Sequence, residues 1–177
     1  MAQPENTKGE LAGRSRFTVV AAIVVVELLL DQLTKAWAQS ALDDGHSISV
    51  LPTLEFDLFY NSGFSFSTGT GRGSLVGVLV FAVVGYLLWL LSRETDTRRI
   101  VLFAVILGGA LGNLSDRLFR AEDGFLSGEV VDFIDVSWYA VFNLADTFVV
   151  VGALTFGVTE VLKGRDVEPD PEASPDP

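Results

Sequence analysis

Four apolar runs, each long enough to cross a bilayer, constrain this chain more than any other feature. They start near Phe17, Ser74, Ile100 and Tyr139 and end near Ala38, Leu91, Phe119 and Leu162. A membrane helix needs about 20 predominantly apolar residues to cross the hydrocarbon, and each run comes close to that length. With 49% apolar residues and a mean hydropathy of +0.42, the expected fold is an all-α integral membrane protein. It has four transmembrane helices and a small extracytoplasmic loop region containing β-structure.

Composition outside the runs sets the domain limits. Residues 1–16 are polar and read as a disordered cytoplasmic arm, and 17–162 form the membrane domain. Residues 163–177 hold four of the six prolines and read as a disordered, acidic cytoplasmic tail. A cleavable signal peptide competes for the first run, because basic residues precede it and Ala36-Trp37-Ala38 imitates a cleavage site. Asp31 and Lys35 within the run, and three further spans, weigh against that reading.

The formal net charge of −11 says little about ligands, since five acids lie in the tail, and nothing points to a nucleic-acid surface. With no cysteine, disulfides, thiolate metal sites and a cysteine nucleophile are excluded. His46 is the single histidine and sits in a polar stretch. A histidine metal site lacks partners, a Ser-His-Asp triad would depend on this one residue, and an exposed loop histidine is the simpler reading.

Polar residues inside the spans carry the remaining information. Glu27, Asp31 and Lys35 lie four apart, which stacks them on one stripe of the first helix. Lys35 can be read as snorkelling to the interface, whereas Glu27 and Asp31 lie deeper and should face other helices. Gly108, Gly109 and Gly112 allow close helix approach in the third span. Asn113, Asp116 and Arg117 follow at its far end with i, i+3, i+4 spacing. A helix beginning near Tyr139 puts Asn143, Asp146 and Thr147 on one face of its first turns.

An Asp within the hydrocarbon costs about 2.5 to 3.5 kcal/mol on insertion scales, so its default explanation is a paired or functional site. The plain alternative for Asp146 is a helix N-terminus at the membrane surface, where the helix dipole favours a carboxylate. Taken alone the two readings are level.

Topology breaks that tie. Lys8, Arg14, Arg16, Arg93, Arg98, Arg99, Lys163 and Arg165 fall on one side of a four-span arrangement, so both termini are expected in the cytoplasm. Asp31, Asn61, Asn113, Asp116, Arg117, Asp132, Asn143 and Asp146 then gather at the outer end. The loop 39–73 is too long for a plain connection and is expected to hold short strands, with a turn at Asn61-Ser62-Gly63. Its phenylalanines belong either to the membrane interface or a lipid, or to a small local core. Asp132 lies in a strand-like segment, GEVVDFIDV, of the second outer loop. Two adjoining carboxylates cannot both ionise easily, and a pair sharing one proton can activate a water and protonate a leaving amine.

The ordered set DQLTK from Asp31, NSGFSFS from Asn61, GGALGNLSDR from Gly108, GEVVDF from Gly128 and FNLADT from Phe142 resembles the lipoprotein signal peptidase, or signal peptidase II, family. The resemblance covers about residues 17–162. It implies an aspartic endopeptidase of the bacterial inner or plasma membrane that cleaves diacylglyceryl-modified prolipoproteins before the lipidated cysteine. It implies Asp132 and Asp146 as the catalytic dyad, supported by Asp31, Lys35, Asn61, Asn113, Asp116, Arg117 and Asn143. Arg117 is expected to keep Asp116 ionised. No metal or cofactor is implied. The implied partners are prolipoprotein substrates, membrane lipids and globomycin-type inhibitors, and the chain is expected to act as a monomer. Phe64 replaces a smaller residue of the family pattern, and the stretch between the two dyad positions is a few residues short.

Two rivals remain at this stage. Intramembrane carboxylates also build proton or cation relays, and NLSD at Asn113 with NLAD at Asn143 hints at the internal repeat of a transporter. A membrane scaffold without activity leaves the common depth of the polar residues unexplained.

Overall fold

The computed structural model describes residues 5–63, 73–121 and 124–165. Four helices dominate: α1 (Glu5–Leu42), α2 (Gly73–Arg93), α3 (Thr97–Phe119) and α4 (Leu144–Arg165). Three strands, β1 (Ile48–Leu51), β2 (Leu54–Asn61) and β3 (Val130–Asp135), form an antiparallel sheet in the order β1-β2-β3. The segments Arg16–Leu42, Ser74–Arg93, Thr97–Phe119 and Leu144–Gly164 are long and apolar enough to cross a membrane.

Helix α3 is the centre of the bundle, packing against α1, α2 and α4. An apolar seam joins Val84, Leu87 and Leu91 of α2 to Ile100, Phe103, Leu107, Ala110 and Leu114 of α3. Asp96 starts α3 as its N-cap, accepting the Arg98 N–H at 2.8 Å. At the same end, the Arg16 guanidinium donates to the Leu91 carbonyl of α2 and to the Glu94 carbonyl just after it, and the Arg99 guanidinium grips Glu160 of α4 through two bonds of 3.0 and 2.5 Å.

The glycines of α3 do more than let helix backbones approach. A β-carbon at Gly108 would stand 2.0 Å from Oε2 of Glu27, and one at Gly112 would stand 2.7 Å from Oδ2 of Asp31. These two positions, one turn apart, are notches that receive the two acids of the α1 stripe. Gly109 turns the other way and receives the Ala145 carbonyl and Val149 of α4.

At the opposite end of the bundle the sheet sits on the last turns of α1. Trp37 packs edge-on against Phe56 at 5.3 Å and against Phe133 at 6.1 Å, while Ala38 and Leu42 close the same cluster. The local core weighed for the aromatic loop is thus present for Phe56, and Phe59 is exposed. Phe64 and the rest of 64–72 lie outside the described residues.

Four boundaries differ from the sequence reading. Helix α1 begins at Glu5, so helix replaces disorder through most of 1–16; it also continues to Leu42, beyond Ala38. Helix α4 starts at Leu144, not near Tyr139. Phe142 pairs instead with β3, where the Phe133 and Ile134 N–H groups both donate to its carbonyl. Hydropathy does not distinguish these apolar residues from a helical turn. Finally, α4 runs on to Arg165, so the tail expected from 163 begins no earlier than 166, and residues 166–177 lie outside the described residues.

Candidate active site

The sheet end of the bundle collects every candidate named from the sequence. Asp132 comes from β3 opposite Phe59, Asn61 from the end of β2, Asn113, Asp116 and Arg117 from the last turns of α3, and Asn143 and Asp146 from the start of α4. Asn143 is the N-cap of α4, not part of its first-turn face. Its Oδ1 accepts the Asp146 N–H at 3.0 Å, and its own N–H donates to Asp146 Oδ2 at 3.2 Å. This reciprocal cap fixes Asp146 in the first turn, where the helix dipole favours its charge. The surface-cap reading and the polar-site reading of Asp146 therefore describe the same geometry.

Two amides connect the carboxylates. Asn143 Nδ2 donates to Asp132 Oδ1 at 2.7 Å and to Asn113 Oδ1 at 3.0 Å, and Asn113 Nδ2 donates to Asp146 Oδ1 at 2.7 Å. The other oxygen of Asp132 accepts Asn61 Nδ2 at 2.8 Å. Asn61 is held in turn, since its Oδ1 accepts the Gly63 N–H at 2.7 Å. Gly63 has φ +89°, and Asn61 itself ends the strand without adopting a left-handed backbone. Every oxygen of the two carboxylates thus receives an N–H.

Asp132 is buried, whereas Asp146 is half-buried and Asn61 exposed, so the pair is open on one side. Burial pushes the Asp132 carboxyl up from its ordinary 3.8 to about 6; the Asn61 N–H opposes this, the Asp146 charge adds to it, and the Asn143 amide lowers it again.

A second layer supports the first. Lys35 is fully buried, not snorkelling, with its ammonium 2.9 Å from Asp31 Oδ2, 2.8 Å from Asp116 Oδ2 and 3.1 Å from Asn113 Oδ1. Asp31 also accepts the Ala145 N–H at 3.2 Å, tying α1 to the start of α4. Asp116 pairs with Lys35 and, at 3.0 Å, with Arg120, and it accepts the Val131 N–H at 3.3 Å beside Asp132.

The direct ion-pair partners of Asp116 are Lys35 and Arg120, and Arg117 makes no such pair with it among the described residues. Adjacent helical residues point about 100° apart, whereas Arg120 lies four on and faces Asp116. Arg117 instead donates to the Gly128 carbonyl at 3.3 Å, and its Nη2 stands 3.0 Å from where a Gly63 β-carbon would lie.

Sequence reasoning missed Arg120 and Gln32. The i, i+4 spacing from Asp116 was a usable signal for Arg120. Gln32 lies off the Asp31–Lys35 stripe, which hid it, although its Nε2 stands 3.1 Å from Asp31 Oδ2 and 3.2 Å from Asp116 Oδ1. The described residues contain no group of three or more His, Cys, Asp or Glu arranged to hold a metal.

Fold and site together define a multi-pass membrane protein whose buried polar cluster centres on two linked aspartates. The model of the Peptidase_A8 family, signal peptidase (SPase) II, matches residues 23–162. The chain belongs to the signal peptidase II family of aspartic peptidases, which remove signal peptides from prolipoproteins during lipoprotein maturation. The lipoprotein signal peptidase of Bifidobacterium adolescentis is 42% identical over 150 residues, covering 84% of this chain and 77% of that protein. The protein of that name from Mycobacterium leprae is 39% identical over 147 residues, covering 82% of this chain and 73% of its own. Among solved structures, a bacterial membrane enzyme determined by the in meso method at 2.3 Å resolution superposes with a TM-score of 0.70 at 23% identity. That match covers 85% of this chain and 92% of the other.

Proposed function

We propose that Asp132 and Asp146 are the catalytic dyad of this peptidase, which cuts diacylglyceryl-modified prolipoproteins just before the lipidated cysteine. The observation that carries this reading is the Asp132–Asn143–Asn113–Asp146 chain of hydrogen bonds. Charge balance supports it. Asp31, Asp116, Asp132 and Asp146 stand against Lys35, Arg117 and Arg120, and one proton shared by the pair removes the excess negative charge.

With that proton on one carboxyl, the other takes a proton from water as the water oxygen attacks the scissile carbonyl. The protonated partner donates to the carbonyl oxygen, and on collapse the amine leaves with a proton from the dyad while a hydroxyl of the gem-diol returns one to it, restoring the shared proton. The products are a carboxylate on the signal peptide and a free amine on the lipidated cysteine. Asn61 lines the open side as a group that contacts substrate, whereas Arg117 is buried behind it. The remaining polar residues hold the dyad.

Arg16, Arg93, Arg98, Arg99 and Lys163 at the end remote from the sheet support cytoplasmic termini and a dyad at the outer face. The substrate's signal helix enters sideways from the lipid. The protein works as a monomer without metal or cofactor, and globomycin-type peptides block it. Apart from Glu27, the buried polar side chains among the described residues gather at the sheet end, which suits hydrolysis better than a relay across the membrane.

The test is the purified full chain in detergent with a fluorogenic peptide bearing a diacylglyceryl cysteine. Mass spectrometry should place the cut immediately before that cysteine and find the lipid-free peptide intact. Failure to cut the lipidated peptide, or equal cutting of both, contradicts the proposal.

A further inference from the structure

An amide side chain can be turned either way, and here the wrong way would face like against like. Lys35 carries only donors, so the atom of Asn113 that meets it must be the carbonyl oxygen. That same oxygen accepts Asn143 Nδ2, whose own orientation is fixed because Asn143 Oδ1 takes the Asp146 N–H of the helix cap. With its oxygen committed, Asn113 has only its NH₂ to offer Asp146 Oδ1. The ammonium has three hydrogens and three acceptors, Asp31, Asp116 and Asn113, and it is wholly shielded from solvent. A buried ammonium placed against a carboxamide oxygen also polarises that amide, strengthening the N–H it presents on the far side.

We infer that Lys35 is a positioning residue for the dyad: through Asn113, it fixes and strengthens the hydrogen bond that holds Asp146. This rests on the reading of Asp132 and Asp146 as the reacting pair. It gives Lys35 a task distinct from neutralising Asp31 and Asp116. Arg120 and Gln32 already share the neutralisation of Asp116, but Lys35 is the charged donor on Asn113 among the described residues.

Replacing Lys35 alone strips two buried carboxylates of their cation, and such a protein can fail to fold for that reason. The informative variant removes one positive and one negative charge together. In D31N/K35M the cluster keeps its net charge, Asp116 keeps Arg120, and Asn113 loses its charged donor. With folding checked by monodispersity and thermal midpoint in detergent, kcat on the lipidated peptide should fall at least about tenfold, the scale of one charge-assisted hydrogen bond, with KM within about twofold of the parent. Recovery of the parent kcat would mean that Lys35 only balances charge, and the inference would be wrong.

A second variant covers the case in which the double mutant does not fold. Asn113→Asp is nearly isosteric and keeps Lys35 with all its partners. Lys35 holds one oxygen of the new carboxyl as an acceptor, so the other faces Asp146 and can donate only when protonated. The charged groups that bear on its titration are Lys35 and Asp31 from α1, Asp116 and Arg117 from α3, Asp132 from β3 and Asp146 from α4. Activity should be lost at neutral pH and return in part as the pH falls, a shift that a merely structural role does not produce. An unchanged pH profile contradicts the inference while leaving the dyad in place. The dyad itself fails if the parent protein does not cleave, or if Asp132→Asn or Asp146→Asn does.

Discussion

Asn143 and Asp146 hydrogen bond to each other in both directions, through an Asp146 N–H to Asn143 Oδ1 bond of 3.0 Å and an Asn143 N–H to Asp146 Oδ2 bond of 3.2 Å. The reciprocal cap that starts α4 therefore also orients one carboxylate of the proposed dyad and the amide that contacts the other. Helix nucleation and site assembly share these two side chains.

Asn143→Ala should accordingly damage both. Loss of an N-cap costs about 0.5 to 2 kcal/mol, and the variant also leaves Asp132 Oδ1 without its donor. Asn143→Asp restores the cap but presents an acceptor to Asp132 and Asn113. Thermal unfolding in detergent should rank the Asp variant above the Ala variant, while peptide cleavage is low in both. Activity in the Asp variant equal to the parent would contradict the amide's role.

Gly108 and Glu27 form a lock of complementary size in the α1–α3 seam. The Glu27 Oε2 that fills the notch has no hydrogen-bond partner among the described residues, so the carboxyl is there at a cost. Gly108→Ala should destabilise the bundle by about 1 to 3 kcal/mol through overpacking. Adding Glu27→Ala to it should recover most of the loss. Glu27→Leu alone should be neutral or stabilising. Thermal midpoints of the four proteins check this, and absence of rescue in the double variant would refute the contact.

Asp132 offers a titration with a definite sign. Its folded-state value of about 6 lies above the ordinary 3.8, so this carboxyl binds its proton more tightly in the folded protein. Its protonation favours the fold fully below about pH 4, and that contribution is lost as the pH rises through about 6. Removing the Asn61 donor should raise the value further, and removing the Asp146 charge should lower it. Isotope-edited infrared spectroscopy on the parent, Asn61→Ala and Asp146→Asn proteins reads all three; movement in the opposite directions would contradict this electrostatic account.

Much of this arrangement was legible in the chain. Four hydropathic runs located the helices, and spacings of three and four residues put Asp31 with Lys35 and Asn113 with Asp116 on shared faces. What periodicity could not supply was the start of α4. Tyr139 to Phe142 are as apolar as a helix, but Phe142 pairs with Ile134 of β3, and only the Asn143–Asp146 cap marks the true beginning. Nor could spacing assign cations to acids. Lys35 serves Asp116 from another helix, and Arg117, its neighbour in sequence, turns away to Gly128. Gln32 is invisible to a stripe analysis because its long side chain reaches acids that its backbone position does not face.

Cleavage of the lipidated peptide by Asp132→Asn and Asp146→Asn, each purified as a folded, membrane-inserted protein, tests the dyad most directly. Both substitutions keep the size of the side chain and remove its ability to ionise, at the cost of turning one accepting oxygen into a donor. Each should lower kcat by at least about a thousandfold, in line with loss of an acid–base group from a unit that works as a pair. Cleavage at the parent rate by either variant would contradict the account.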